Sequence, residues 1–213
     1  MKNNLLIFGG KSTALEIYEV AKTFFKENFS DILMVIPDKE EIDNKYNYLH
    51  DHSLDSYIKE NQCSYIVGFT NQKGRLLIQE RMIGLKVSPI NIIHPESTIS
   101  LSSSLGIGNY IAAGAIISSN AKIKNHCIVN YNSTVGHDSL INHNNIILPG
   151  ARISGNVNIG ERSLIGANAF IFQNTNIGND CVIDAMTYVD RDIDDNHICS
   201  SKAKLKTYRR VIH

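Results

Sequence analysis

A six-residue repeat dominates the second half of the sequence. Counting in sixes from Ile93 to Val189 meets 17 positions, and every one of them is Ile, Val or Leu. Two residues before each of these positions stands a small or short polar residue, and Val157 is the one branched aliphatic residue among them. A period of six matches neither the 3.6 residues of a helical turn nor the alternation of a half-buried strand. It predicts short strands joined by regularly spaced corners.

Three such hexads are interpreted as one coil of a prism with three flat faces. The aliphatic residue points into a narrow interior and the small residue fits at the bend. A Gly or Asn directly after the aliphatic residue, as at Gly136 or Asn142, is expected to supply the positive φ of a tight corner. Stacked coils pair as parallel strands about 4.8 Å apart. Residues one coil apart in sequence therefore lie side by side on the same face or edge.

The first ninety residues have a different pattern, in which apolar runs alternate with stretches of helical periodicity. The alternation predicts a small parallel sheet with right-handed crossovers. We therefore expect an α/β domain at residues 1–90 and a β-helix domain at residues 91–213 that ends in a short tail. The expected strands and helices of the first domain alternate at 5–8, 13–28, 32–36, 54–60, 65–67 and 72–83.

Ligands of such sheets bind at the carboxyl ends of the strands, where helix N-termini favour phosphate. Ser12 or Thr13 is also suited to cap the first helix. The pair Gly9-Gly10 lacks the full dinucleotide fingerprint, so a redox dinucleotide is disfavoured, and purely structural turns are the alternative. The residues expected to bind a substrate at this edge are Gly9, Ser12, Thr13, Asp38, Gly68 and Asn71.

Charge and hydropathy exclude several classes of partner. Lys plus Arg and Asp plus Glu both number 21, so no net field favours nucleic acid or an anionic membrane. No apolar run approaches the roughly 18 residues of a membrane span. The N-terminus is interpreted as a strand because it lacks the cleavage site of a secretion signal. The four cysteines show no metal spacing, and together these features lead us to expect a cytoplasmic protein without a metal.

The hexad pattern resembles the left-handed parallel β-helix of hexapeptide acyltransferases. In such a prism His137 belongs to a corner and should project outward. An acyl transfer to an amine or hydroxyl needs a group that accepts a proton, which imidazole can do, and Asp138 can fix its tautomer. The residue one coil after His137 is Gly155. With no side chain there, a thioester has room beside the base, and the Gly155 amide could stabilise an oxyanion.

Longer motifs make nearly the whole chain similar to the sugar acyltransferases of the NeuD/PglD type. They are Ile92-Ile93-His94-Pro95, His137-Asp138, Pro149-Gly150-Ala151 and the run from Gly155 to Gly160. The resemblance implies that His137 is the general base and that Asp138 increases its basicity. It also implies a homotrimer that binds acetyl-CoA between two β-helices, near Gly155, Ala167 and Ala185. The N-terminal domain would hold a nucleotide-linked amino sugar.

The sequence departs from the family pattern at four places, three of which bear on the candidate sites. Relatives often have a second histidine that touches the acetyl donor nine residues after the base, and this chain has Ile146 there, which we assign to the donor site. Ser12-Thr13-Ala14 replaces a glycine-histidine-glycine phosphate loop. Pro37-Asp38 replaces an acidic pair.

The leading hypothesis is N-acetylation of a nucleotide-linked amino sugar, a 4-amino-deoxy sugar, in surface-glycan synthesis by direct transfer. O-acetylation of a sugar hydroxyl, as in sialic acid modification, would use the same base. A metalloenzyme of the carbonic anhydrase kind is disfavoured because His137 and His143 fall on separate edges. A non-catalytic scaffold is the remaining alternative.

Overall fold

The computed structural model describes residues 2–201. The part of the predicted C-terminal tail beyond residue 201 lies outside this range. An α/β layer comes first in the chain, and a three-sided prism of short parallel strands follows it.

The α/β layer contains one five-stranded parallel sheet in the order β3-β2-β1-β4-β5. Its helices are α1 (Thr13–Phe24), α2 (Leu54–Glu60) and α3 (Gln72–Gly84), and short 3-10 turns cover Lys26–Asn28 and Asp51–Ser53. The strands are β1 (Asn4–Phe8), β2 (Ile32–Ile36), β3 (Tyr48–His50), β4 (Cys63–Val67) and β5 (Ser88–Pro89).

Three strands and three helices of this layer were expected from the sequence, and all six are confirmed. The first helix is shorter than predicted, because α1 ends at Phe24 and a 3-10 turn follows. The two edge strands, β3 and β5, were not predicted. They have three and two residues, and neither has a fully buried residue whose periodicity could reveal it.

Within residues 2–201 the prism consists of 18 two-residue strands, each of which pairs in parallel with a strand of a neighbouring coil. These are β6 (Ile92–Ile93), β7 (Thr98–Ile99), β8 (Ser104–Leu105), β9 (Tyr110–Ile111), β10 (Ile116–Ile117), β11 (Lys122–Ile123), β12 (Ile128–Val129), β13 (Thr134–Val135), β14 (Leu140–Ile141), β15 (Ile146–Ile147), β16 (Arg152–Ile153), β17 (Asn158–Ile159), β18 (Leu164–Ile165), β19 (Phe170–Ile171), β20 (Asn176–Ile177), β21 (Val182–Ile183), β22 (Tyr188–Val189) and β23 (Ile198–Cys199). The fold is thus the predicted left-handed parallel β-helix.

The strands form three faces, which we name by what they present. The covered face consists of β6, β9, β12, β15, β18, β21 and β23. The aromatic face consists of β7, β10, β13, β16, β19 and β22, and Phe170 and Tyr188 stand on its outer surface. The polar face consists of β8, β11, β14, β17 and β20.

The interior of the prism follows the hexad pattern. The second residue of each strand lies inside, as Ile117 and Ile141 do, and the small residues before the strands fill the bends. Ala115 and Cys181 at such bends are completely buried, and Val157 is accommodated in the same way at 1% exposure. Parallel pairing leaves no room for larger side chains here, which explains the strict pattern.

The predicted role of the glycines at the corners is wrong. Positive φ occurs three residues after the buried aliphatic residue, as at Asp138 (57°) and Asn144 (61°), and not directly after it. Glycine directly after the aliphatic residue is needed for space instead. A Cβ atom on Gly136 would stand 2.4 Å from the backbone carbon of Ser154 in the next coil. Close stacking of coils therefore selects glycine at this position.

The covered face is buried by the α/β layer. Its outward residues Tyr110, Ile128 and Ile146 pack with Ile17 and Ala21 of α1 in one apolar cluster. The α/β layer therefore lies on one face of the prism and leaves the aromatic and polar faces open. Within residues 2–201, no helix has the length and apolar character that a bilayer crossing requires.

Candidate active site

Three edges join the faces of the prism, and each is a column of corners one coil apart. We call the edge between the aromatic and polar faces the histidine edge, because it contains residues 136–139 and 154–157. The alanine edge joins the covered face to the aromatic face and contains residues 166–169 and 184–187. The third, which we call the α3 edge, contains residues 124–127 and 142–145.

His137 lies exposed on the histidine edge with its imidazole fixed by a neighbour. Its Nδ1 lies 2.8 Å from Oδ2 of Asp138. A carboxylate can only accept, so Nδ1 carries the proton and a neutral ring keeps its lone pair on Nε2. The main chain is held as well, because the carbonyl oxygen of His137 accepts from the amide of Asn156 at 2.8 Å. The geometry is that of a base with a defined tautomer.

Asp138 is itself oriented from the preceding coil. Asn120, one coil earlier, donates from Nδ2 to Oδ1 of Asp138 at 3.0 Å, and the Asp138 amide donates to the carbonyl oxygen of Ser119. The hydrogen bonds from His137 and then Asn120 hold the pKa of the Asp138 carboxyl below its ordinary value. The acid beside the imidazole thus stays ionised and keeps one oxygen directed at Nδ1.

Gly155 lies directly beside the free nitrogen of this imidazole. A Cβ atom on Gly155 would stand only 2.5 Å from Nε2 of His137, so any other residue would displace the ring. Within residues 2–201 the amide of Gly155 has no hydrogen-bond partner. The predicted proximity of His137 and Gly155 is confirmed, and an unpaired N–H donor lies next to the candidate base.

The structure separates Ala167 and Ala185 from His137. Ala167 is half-buried and Ala185 is exposed, and both lie on the alanine edge. The aromatic face lies between that edge and the histidine edge. Ala167 and Ala185 therefore do not lie beside His137 and Gly155 in a single copy of the chain.

The assignment of Ile146 to the donor site is not supported by the structure. Its side chain is completely buried in the apolar cluster between the covered face and α1. A residue on that face cannot reach a ligand on the histidine edge. The sequence did not reveal this because outward and inward strand residues of the covered face are equally apolar.

A second candidate site is a cavity of about 840 Å³ at the carboxyl end of the parallel sheet. Five of the six residues predicted to bind substrate line it, namely Gly9, Ser12, Thr13, Asp38 and Gly68. Asn71 does not. Its side chain caps α3 instead by accepting from the amide of Gly74 at 2.8 Å.

The cavity combines charged groups with an apolar wall. Lys11 pairs with Glu40 at 3.1 Å, and Arg81 pairs with Asp51 at 2.7 Å. The charged pairs were not predicted as a group, because they come from four separate segments. The apolar part is formed by Phe8, Val35, Ile36, Phe69, Leu77 and Ile78.

The N-terminus of α1 opens into this cavity. Ser12 occupies the N-cap position with φ 49° and ψ −123°, a conformation that glycine favours, and its side chain makes no capping bond. Thr13 is only 8% exposed, yet its hydroxyl has no hydrogen-bond partner in the described part of the chain. The close packing of α1 on the sheet depends on Gly68, whose Cβ would stand 2.5 Å from Cα of Ala14.

The cavity and the histidine edge are separate in a single copy of the chain. All the residues that line the cavity fall between Phe8 and Arg81. The other histidines near the prism have structural contacts: Nδ1 of His143 accepts from the amide of Asn125 on the α3 edge, and the ring of His94 packs on Phe24. Residues 2–201 contain no cluster of three or more His, Cys, Asp or Glu side chains arranged to hold a metal ion.

Comparisons with known proteins agree with this architecture. A family model described as the hexapeptide repeat of succinyl-transferase matches residues 156–191. A search of curated protein sequences finds no match.

Several solved structures resemble the chain over most of its length. The acetyltransferase domain of PglB from Neisseria gonorrhoeae, in complex with acetyl coenzyme A, is 27% identical and superimposes with a TM-score of 0.83, covering 93% of this chain and 96% of that one.

Two further structures share the fold at lower identity. PerB from Caulobacter crescentus, in complex with CoA and GDP-perosamine, is 24% identical with a TM-score of 0.83 and coverages of 96% and 97%. WeeI from Acinetobacter baumannii is 18% identical with a TM-score of 0.81 and coverages of 91% and 94%. The repeat, the α/β layer and the similarity to the PglB domain agree with the resemblance to the hexapeptide-repeat sugar acyltransferases of the NeuD/PglD type.

Proposed function

We propose that this chain is an acetyl-CoA-dependent N-acetyltransferase that acts on a nucleotide-linked amino sugar, with His137 as its general base. The observation that carries the proposal is that Nε2 of His137 lies 2.5 Å from the place that a Cβ atom on Gly155 would take. The PglB domain, which binds acetyl coenzyme A, supports the choice of donor.

The surroundings of Gly155 fit an acetyl thioester. The missing side chain leaves space that a Cβ atom would fill, and the unpaired Gly155 amide can donate to a carbonyl oxygen that gains negative charge. Acetyl-CoA would supply an activated acyl group. These features match the role that the family resemblance gives to Gly155.

The chemistry assigned to His137 is a single proton transfer during direct acyl transfer. As the sugar amine forms its bond to the acyl carbon, Nε2 accepts the proton that the amine loses. The carbon–sulfur bond breaks, and the thiolate that leaves takes up a proton from water while the imidazolium returns its proton to the solvent. Asp138 stabilises the imidazolium that forms in between, because its carboxylate is already hydrogen-bonded to Nδ1.

The cavity of the α/β layer is the proposed acceptor site. The unpaired hydroxyl of Thr13, the α1 N-terminus and Lys11 can bind a diphosphate, and the apolar wall around Phe69 can pack against a base or sugar. PerB, whose structure contains GDP-perosamine, supports a nucleotide-linked amino sugar as the class of acceptor. A 4-amino-deoxy sugar of surface-glycan synthesis is the proposed substrate.

We propose a homotrimer because the site is incomplete in one copy. The aromatic face has the histidine edge on one side and the alanine edge on the other. If three aromatic faces pack around a threefold axis, each Gly155 meets Ala167 and Ala185 of the next copy. Exposed apolar side chains on this face support the packing: Phe170 stacks on Tyr188 with ring centroids 5.6 Å apart, and Ile116 is 44% exposed.

The proposed location of the enzyme is the cytoplasm, where acetyl-CoA and nucleotide sugars are available. The four cysteines are all free, which is typical of a reducing compartment.

A turnover assay tests the proposal. Purified protein is mixed with acetyl-CoA and nucleotide-linked amino sugars that differ in nucleotide and in amine position. Release of free thiol and the mass of the sugar product are followed. We expect one class of amino sugar to gain an acetyl group that resists hydroxylamine, as an amide does. A hydroxylamine-labile product would indicate O-acetylation instead, and no turnover with any amino or hydroxy sugar would favour the scaffold.

A further inference from the structure

Two faces of helix α3 make contacts that matter for the candidate sites, and one of these faces lines the cavity. Gly74, Leu77 and Arg81 face the cavity. On the other face Arg75 and Gln79 are buried, although both side chains are polar. A helix that buries polar groups must find a hydrogen-bond partner for each of them. Some of these partners lie in the α/β layer, and the others lie on the α3 edge of the prism.

Arg75 joins the wall of the cavity to the prism. Arg75 is 1% exposed, and one nitrogen of its guanidinium donates to the carbonyl oxygens of Val67 (3.2 Å) and Phe69 (2.8 Å). The other terminal nitrogen donates to the carbonyl oxygen of His126 on the α3 edge. Val67 and Phe69 flank Gly68, so the clamped segment is the part of the cavity wall that follows β4.

A second contact is made one coil further along the same edge. Nε2 of Gln79 donates to Oδ1 of Asn144 at 2.6 Å, and Nδ2 of Asn144 donates back to Gln79. Gln72 donates to the main-chain carbonyl oxygen of Asn144 at 2.8 Å. Because His126 and Asn144 occupy equivalent corners of successive coils, α3 is fixed along the prism at two points.

The chemistry of Arg75 suits a clamp better than a simple ion pair. No carboxylate of residues 2–201 pairs with it, and all its partners are carbonyl oxygens from two parts of the molecule. The rigid planar guanidinium can donate in several fixed directions at once, whereas a lysine ammonium cannot bridge the same acceptors. A buried cation held in this way tolerates little displacement of its acceptors.

We propose that Arg75 is a positioning residue that aligns the acceptor cavity with the catalytic edge of the assembled β-helices. This inference rests on the proposed function. The cavity can serve the histidine edge of its own copy or that of a neighbouring copy. In both cases the contacts between α3 and the prism determine where the cavity lies relative to that edge. Arg75 thus acts on the alignment of the amine and not on the proton transfer itself.

The first test separates alignment from binding. Arg75→Lys keeps the charge and Arg75→Met keeps much of the volume, while Lys73→Met removes an exposed cation from the same helix and is the matched control. We expect both Arg75 variants to lose at least about tenfold in kcat, since small misplacements of reacting groups have large effects. The Kd of the nucleotide sugar by calorimetry and the KM of acetyl-CoA should stay within about twofold.

A milder variant covers the case in which Arg75 variants fail to fold. Asn144→Gly removes the partner of Gln79 and suits the positive φ of 61° at that corner. We expect it to lower kcat by about threefold with both affinities unchanged. If the Arg75 variants fold and keep the native kcat, the proposal is overturned. If the Arg75 variants do not fold, a native kcat in Asn144→Gly overturns it. So would a loss that appears only in the Kd of the nucleotide sugar, which would make Arg75 a part of the cavity alone.

A crystal structure of Arg75→Lys gives a readout that does not depend on activity. We expect the α/β layer, with residues 67–70 in it, to shift relative to His126 while the sheet and the prism each keep their own geometry. An unmoved segment would contradict the clamp. If the native protein acetylates no nucleotide sugar but the segment moves in the variant, the proposed function fails while the clamp itself stands.

Discussion

The imidazole of His137 and the α-carbon of Gly155 face each other across one coil of the prism, so close that a Cβ atom on Gly155 would stand 2.5 Å from Nε2. Asp138 holds the same ring from the other side through Nδ1. A movement of the ring would therefore lose either the hydrogen bond to Asp138 or the proximity to Gly155. This makes His137 and Gly155 the most sensitive pair of residues in the candidate site.

We expect Gly155→Ala to abolish most activity while the protein stays folded. The added methyl group would push the imidazole away from Asp138 and fill the space proposed for the thioester. Stability should change by less than about 1 kcal/mol, because the displaced group is an exposed side chain. Steady-state kinetics and thermal unfolding check this, with Gly84→Ala as control because a Cβ atom there meets nothing within 4 Å. Native acetyl-CoA affinity and rate in Gly155→Ala would contradict the expectation.

We expect His137→Ala to reduce kcat by about 10²–10⁴, which is the usual contribution of a general base. His143→Asn is the matched control, because that histidine lies one corner further along the chain and on a different edge. It should retain native turnover. A loss below threefold in His137→Ala would remove this residue from the mechanism.

We expect Thr13→Val to weaken binding of a nucleoside diphosphate by about tenfold, the worth of one hydrogen bond to a charged group. The substitution keeps the shape of the buried side chain and removes only its unpartnered hydroxyl. Calorimetry with the nucleoside diphosphate measures the effect, and Thr23→Val near the exposed end of α1 serves as control. Equal affinities of both variants would mean that the phosphates bind elsewhere.

We expect Phe170→Glu to break the proposed trimer. The new charge would be buried against the same face of other copies, which is costly without a partner. Light scattering coupled to size exclusion gives the mass, and Asn158→Glu introduces the same charge on the polar face as a control. Acetyl-CoA affinity should fall together with the mass. A trimer that survives Phe170→Glu would show that another face forms the contact.

We expect folding stability to fall as pH decreases from about 6.5 towards 4, with His126 as one cause. Burial, and then the nearby charge of Arg75, lower the pKa of His126 to about 4. Between these two pH values the His126 side chain is protonated in the unfolded chain and neutral in the folded chain, so acid favours unfolding. Urea midpoints at pH 7.5 and 5 measure the slope, and His126→Asn, which suits the positive φ of that corner, should flatten it. An unchanged slope would exclude His126 as a cause.

The repeat made most of the β-helix predictable. Strict spacing of Ile, Val and Leu reveals the prism because each coil must fill the same narrow interior. The same spacing brings His137 beside Gly155 without any further information. Five of the six residues predicted for the cavity follow from one rule, that parallel strands end at the same edge of a sheet.

The remaining features depend on packing that the sequence does not encode locally. Ile146 has the same hexad position as exposed strand residues, and only the docking of α1 buries it. Arg75 resembles any surface arginine of a helix until the prism is present. The positive φ of Asp138 arises because the chain turns at the third residue of each corner, which a preference for glycine does not reveal.

The one-coil offset between His137 and Gly155 also restricts how such a gene can lengthen. Duplication of a whole coil beyond residue 175 would extend the prism and leave the two residues adjacent. An unrelated coil inserted between them would instead place a new corner beside His137 and separate base from donor. Insertion of foreign coils is therefore compatible with activity only outside residues 137–155.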